Sequence, residues 1–238
     1  MKAKLTLGNN VIVKLDPDNK MIKTRSGLQL YVDTSFEPEK HVVRIGTVEA
    51  VPKELIYHHG KSGYPWKTTM ELKVGDRVVM YFLAIQNCLR PERKTYWREG
   101  NTTWISIKYH NIYAIILDKD IQPINGYLFV EPVEDPEFLR MQKEYERIGM
   151  EQVDTRDLSK TDVTYGKIKY AGKPNQDYAD DYKSDQFHDE YLGDTVVMKR
   201  IRDIPVEYEY HAKIDDGSKL YRIQRHDILA ILNNSYGG

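Results

Sequence analysis

The chain has 238 residues, with 35 Lys and Arg against 36 Asp and Glu, for a net charge of −1. That balance lacks the basic excess that favours nucleic acid or anionic membrane surfaces. The one cysteine, Cys88, excludes an intrachain disulfide, and there is no charged-then-apolar leader and no apolar run of membrane-span length, so a cytoplasmic protein in a reducing compartment is expected.

In chain order the apolar segments are short and β-branched: residues 11–13, 28–32, 41–48, 77–82, 104–107 and 112–117. Turn residues separate them, as in a small β-barrel or sandwich. Pro123-Ile124-Asn125-Gly126 is the predicted joint, too short to act as a flexible tether. Residues 127–130, 164–170, 195–199, 220–223 and 228–232 continue the strand rhythm. Three stretches interrupt it: 16–40, 52–73 and 135–162. In the last, Phe138, Met141, Tyr145 and Ile148 fall at i, i+3, i+7 and i+10, which predicts a short amphipathic helix. Residues 173–191 are polar and acidic, and a solvated loop is expected there.

The second half repeats the first. Val74-Gly75-Asp76-Arg77-Val78-Val79-Met80 returns as Leu192-Gly193-Asp194-Thr195-Val196-Val197-Met198. The stretch Ile107 to Ile116 returns as Ile223 to Leu232, Asn10-Val11-Ile12-Val13-Lys14 as Tyr127-Leu128-Phe129-Val130-Glu131, and Gly46-Thr47-Val48 as Gly166-Lys167-Ile168. Four blocks in one order indicate two tandem domains, 1–122 and 123–238. The Val-Gly-Asp and Leu-Gly-Asp tripeptides read as turns entering a strand, where glycine permits positive φ and aspartate bonds its neighbouring backbone.

These blocks resemble the GroES family, the small co-chaperonins that cap GroEL-type chambers. The order is a strand (Val11-Ile12-Val13-Lys14), a loop with an apolar motif after glycine (Ser26-Gly27-Leu28-Gln29-Leu30) and a Gly-x-Val strand (Gly46-Thr47-Val48). Then come Leu72-Lys73-Val74-Gly75-Asp76-Arg77-Val78-Val79 and a closing Asp-Ile-Leu-Ala-Ile, intact at Asp227-Ile228-Leu229-Ala230-Ile231 and degraded at Asn111-Ile112-Tyr113-Ala114-Ile115. The resemblance implies an all-β protein of two tandem GroES-like small β-barrels with loop insertions. It further implies a homo-oligomeric ring joined edge to edge, a GroEL-type chaperonin as partner, and non-native proteins as clients. Gly27, Leu28, Gln29 and Leu30 match the family's chaperonin-binding mobile loop. Glutamine replaces an apolar residue at the middle position, but alternate side chains of an extended strand face opposite sides, so Leu28 and Leu30 could enter a groove while Gln29 faces water.

Two buried leucines contribute about 3–6 kcal/mol, whereas ordering a loop costs about 1–2 kcal/mol per residue. One such loop binds weakly, and several on a ring gain factors of roughly 10²–10⁴. The second half has no matching tripeptide in 135–162. Either that loop docks differently, as a helix in a groove, or only the first domain makes contact.

No catalytic constellation is present: there is no phosphate-binding glycine loop, no Gly-x-Ser-x-Gly and no His-Glu-x-x-His. A non-enzyme without cofactor or metal is expected. His58-His59 read as solvated hairpin residues and His188-Asp189-Glu190 as an acidic loop. His110 and His226 share a fold position. Cys88 reads as structural, and Trp66, Trp97 and Trp104 as core or loop anchors. The rival to the co-chaperonin is an oligomeric binding or structural protein that kept the fold without the chaperonin contact.

Overall fold

The computed structural model describes residues 8–17, 21–23, 26, 29–31, 45–56, 66–118, 120–150, 163–173, 177–178, 192–199, 208–210 and 219–232. These are mostly β, with two large antiparallel sheets. The chain divides into two units, one of Met1–Asn125 with Gly172–Lys183, the other of Gly126–Ala171 with Ser184–Gly238.

Up to the division the elements are β1 (Asn10–Leu15), β2 (Met21–Lys23), β3 (Gln29–Tyr31), β4 (Ile45–Ala50), β5 (Trp66–Lys67), β6 (Arg77–Met80), α1 (Phe82–Cys88), β7 (Tyr96–Glu99), β8 (Thr102–Lys108), β9 (Ile112–Ile116) and β10 (Ile121–Pro123). Beyond it come β11 (Tyr127–Val133), α2 (Pro136–Arg147), β12 (Val163–Ala171), β13 (Asp177–Tyr178), β14 (Thr195–Lys199), β15 (Tyr208–Tyr210), β16 (Lys219–Gln224) and β17 (Ile228–Leu232).

The first sheet runs β10-β9-β6-β4-β1-β8-β7 and the second, from its other end, β17-β14-β12-β11-β16-β15. The two orders match strand for strand, and among the described residues β10 alone has no counterpart. Among the described residues neither sheet closes on itself. The repeat extends to register. The ladder between β1 and β4 shifts between Ile12 and Val13, and that between β11 and β12 shifts between Phe129 and Val130. The β6–β9 ladder shifts between Val79 and Met80, and the β14–β17 ladder between Val197 and Met198. Bulges of this kind bend a strand and sharpen its twist, so each sheet curves at equivalent points.

The glycine turns repeat as well. Gly75 has φ 96° and Gly193 φ 89°, values that side chains disfavour. Gly75 N donates to Val48 O at 2.8 Å, and Gly193 N to Ile168 O at 2.8 Å. Asp76 Oδ2 accepts from Lys73 N at 2.8 Å, closing the turn as its sequence suggests.

Alternation places Val11, Val13, Val48, Val78, Met80, Ile105 and Ile107 in one core with Tyr109, Ile112 and Ile124. The corresponding core of the second unit holds Leu128, Val130, Ile168, Val196, Met198 and Ile223.

Helix α2 forms where the apolar stripe predicts it. Asp135 Oδ1 accepts from Glu137 N at 2.9 Å, Pro136 opens the first turn, and Phe138 is buried. Two expectations are corrected. The strand predicted over 77–82 stops at Met80, and Phe82 begins α1, which buries Ile85 and Cys88. The loop predicted over 173–191 contains β13, which pairs with β5 through Asp177 opposite Lys67 and Tyr178 opposite Trp66.

Candidate functional site

Gln29 and Leu30 lie on β3, which among the described residues pairs with β2 alone: Lys23 stands opposite Gln29, Ile22 opposite Leu30 and Met21 opposite Tyr31. Gly27 and Leu28 are outside the described residues, and Ser26 before them is exposed. This ribbon is inserted between β1 and β4, yet among the described residues it joins neither large sheet. Between the equivalent strands β11 and β12 the second unit carries α2 instead. There Leu139, Tyr145, Ile148 and Met150 are exposed, with Ile148 reaching 62%. One topological slot thus holds a hairpin in the first unit and a helix with exposed apolar residues in the second.

The last strands of the two sheets also differ in cover. All of β9 is buried, with Tyr113 at 1%, and β10 pairs with it through Ile121 opposite Ile116. On β17 the equivalent Leu229 is 56% exposed, and no described strand pairs beyond it.

The remaining candidates sort by environment. Trp97 and Trp104 stack across β7 and β8 with centroids 6.2 Å apart, which suits the anchor reading. The thiol of Cys88 is buried and donates to Ser106 O at 3.3 Å, and burial pushes its pKa up, away from the reactive thiolate. Burial, helped by Lys108, pushes the His110 imidazole below its usual value. Among the described residues no group of three His, Cys, Asp or Glu side chains could hold a metal ion. His58, His59 and His188-Asp189-Glu190 lie outside them.

Sequence reasoning missed a polar cluster around Glu71. Its Oε2 accepts from Asn125 N at 2.7 Å and from Tyr109 Oη at 3.4 Å, while its own N donates to Tyr109 Oη at 3.0 Å. Asn125 is wholly buried with φ 59°, and its Nδ2 donates to Tyr109 O at 3.2 Å and Ile112 O at 3.0 Å. Glu71 Oε1 is buried without a hydrogen-bond partner among the described residues. No spacing rule could have found this cluster, because its members come together only through the fold.

Burial raises the Glu71 carboxyl above its ordinary value, opposed by the bonds from Asn125 and Tyr109 and by the charge of Lys173. A carboxyl raised in the folded state binds its proton more tightly there than in the unfolded chain. Its contribution to stability is therefore fully present below about pH 4.5 and is lost as pH rises through the raised value. Glu71→Gln should remove that component, and its urea midpoint should fall less between pH 4.5 and 7 than that of wild type. Equal falls in the two proteins would show that Glu71 does not titrate in this window.

No helix among the described residues is long and apolar enough to cross a membrane. No protein-family model matches the chain, and no curated protein matches it.

Proposed function

We propose that this chain is a tandem-domain co-chaperonin with two GroES-like β-domains. It caps a GroEL-type chaperonin ring around a non-native protein and performs no covalent chemistry. ATP acts on the chaperonin, exposing grooves that receive Gly27, Leu28, Gln29 and Leu30, and the loops order on docking. The observation that carries the reading is the ribbon bearing Gln29 and Leu30, inserted between two core strands and, among the described residues, not part of their sheet. A segment so placed can engage a partner without disturbing the core. The duplicated strand order, bulges and glycine turns support a repeated domain of the kind the resemblance implies.

A ring is supported by the edge of β17, on which no described strand pairs. A strand from a neighbouring copy can pair with β17 as β10 pairs with β9, covering an edge that otherwise invites uncontrolled pairing. Leu229→Lys should reduce an assembly measured by light scattering to single chains while leaving the melting temperature within a few degrees. An assembly of unchanged mass would place the interface elsewhere.

The second reading, a GroES-fold binding or structural protein without chaperonin contact, is favoured by one observation: Gln29, Leu30 and Tyr31 are already paired as a strand. Co-sedimentation with a GroEL-type chaperonin, with and without ATP, separates the two. Under the co-chaperonin reading wild type binds in a nucleotide-dependent way and Leu28→Asp/Leu30→Asp does not. Absence of wild-type binding, with the chaperonin of the same cell also tested, leaves the second reading.

A further inference from the structure

One short stretch of the first unit receives chain from two directions. The unit's chain runs out at Asn125 and resumes at Gly172. Asn125 N donates to Glu71 Oε2 at 2.7 Å. The resumed segment carries β13, which pairs with β5 at Trp66 and Lys67, and it carries Lys173, whose charge acts on the Glu71 carboxylate. Both ends of the excursion are therefore tied to residues 66–71. That stretch is in turn held by Tyr109, whose Oη accepts from Glu71 N at 3.0 Å and lies 3.3 Å from Thr69 O. Thr68 beside it is buried.

We propose that residues 66–71 form a clasp that fastens the departing and returning chain of the first unit together, with Glu71 as the positioning residue that couples them. A buried N–H needs an acceptor, and Glu71 is the acceptor that Asn125 has. On the returning side the β13–β5 ladder ties the chain to Trp66 and Lys67, and the charge of Lys173 favours the ionised form of Glu71. Both connections thus bear on one short stretch, Asn125 through the Glu71 side chain and β13 through the β5 backbone. Loosening one changes the hold on the other, because a carboxylate that loses the field of Lys173 is a costlier acceptor for Asn125. The charged group acting on Glu71 is Lys173, and Tyr109 acts through its neutral hydroxyl, which donates to Oε2.

Hydrogen exchange followed by mass spectrometry on the full chain tests this, reading segments 121–127 and 172–178 against β1 as an internal standard. Glu71→Ala should accelerate exchange in both segments by about tenfold or more and leave β1 unchanged. Glu71→Gln keeps an acceptor for Asn125 and removes the charge, so it should accelerate 172–178 well beyond 121–127. Lys173→Ala should reproduce the glutamine pattern. Uniform acceleration that includes β1 in Glu71→Ala, or deprotection of one segment alone, overturns the coupling. A Glu71→Gln protein indistinguishable from wild type in both segments overturns the charge tie.

Discussion

Gly46→Ala should cost the first unit about 3 kcal/mol or more, read as a lower urea midpoint with an unchanged slope. A β-carbon built on Gly46 would lie 2.5 Å from Lys14 O and 2.6 Å from Val13 Cγ1. Neither neighbour can yield cheaply. Lys14 O belongs to the β1 backbone, and Val13 is fully buried and sits at the shift in the β1–β4 register. The two central strands would have to separate. Globular domains hold only about 5–15 kcal/mol in total, so the loss is a large share. Gly166 is the equivalent residue of the second unit, but its added β-carbon would meet Met198 Cε at 2.9 Å and Val130 Cγ2 at 3.0 Å. The methionine methyl is the end of a flexible side chain, so Gly166→Ala should cost about 1 kcal/mol. Equal effects at the two glycines would mean that β1 and β4 slide apart more readily than their contacts indicate.

Tyr109→Ala should be comparably severe. The ring is fully buried and belongs to the core of the first unit. Removing a large buried aromatic costs about 3–5 kcal/mol, and the lost hydroxyl leaves Glu71 N without its acceptor, adding about 1–3 kcal/mol. Tyr109→Phe isolates the second part and should lower stability by about 1–3 kcal/mol, seen in thermal and urea unfolding. A phenylalanine variant as stable as wild type would show that water replaces the hydroxyl. Arg225 stands in the second unit where Tyr109 stands in the first, and its Nη1 donates to Gly126 O at 3.0 Å. The repeat thus keeps the position as a backbone anchor while changing its chemistry.

Much of the succession of strands along the chain is legible because the repeat reports it twice. Val11-Ile12-Val13 and Leu128-Phe129-Val130 alternate alike, and the glycine turns fix where each following strand begins. Helix α2 is legible because its stripe spans three turns and Asp135 caps it. Helix α1 is not: in seven residues Ile85 and Cys88 are its buried pair, too few to distinguish a helix from the end of a strand. The short strands β7, β10 and β15 escape notice because neighbours define them more than their own periodicity does. The pairing of β5 with β13 is invisible for a deeper reason. A backbone ladder uses groups that every residue except proline carries, so polar Asp177-Tyr178 gives no sign of its distant partner. At the candidate docking site the motif was legible from the resemblance, whereas the ribbon around Gln29 and Leu30 depends on pairing with Met21 to Lys23.

The return of Gly172–Lys183 to the first unit has a consequence for synthesis. A ribosome that has released Asn125 has delivered β1 to β10, and with them all strands of the first large sheet. It has not yet made β13. The 58 residues from Asn125 to Lys183 take on the order of 3–12 s to translate. For that interval β5 waits without the strand it will pair with, while β11, α2 and β12 emerge behind it. The pace of translation through the second half therefore sets when the first half can finish folding.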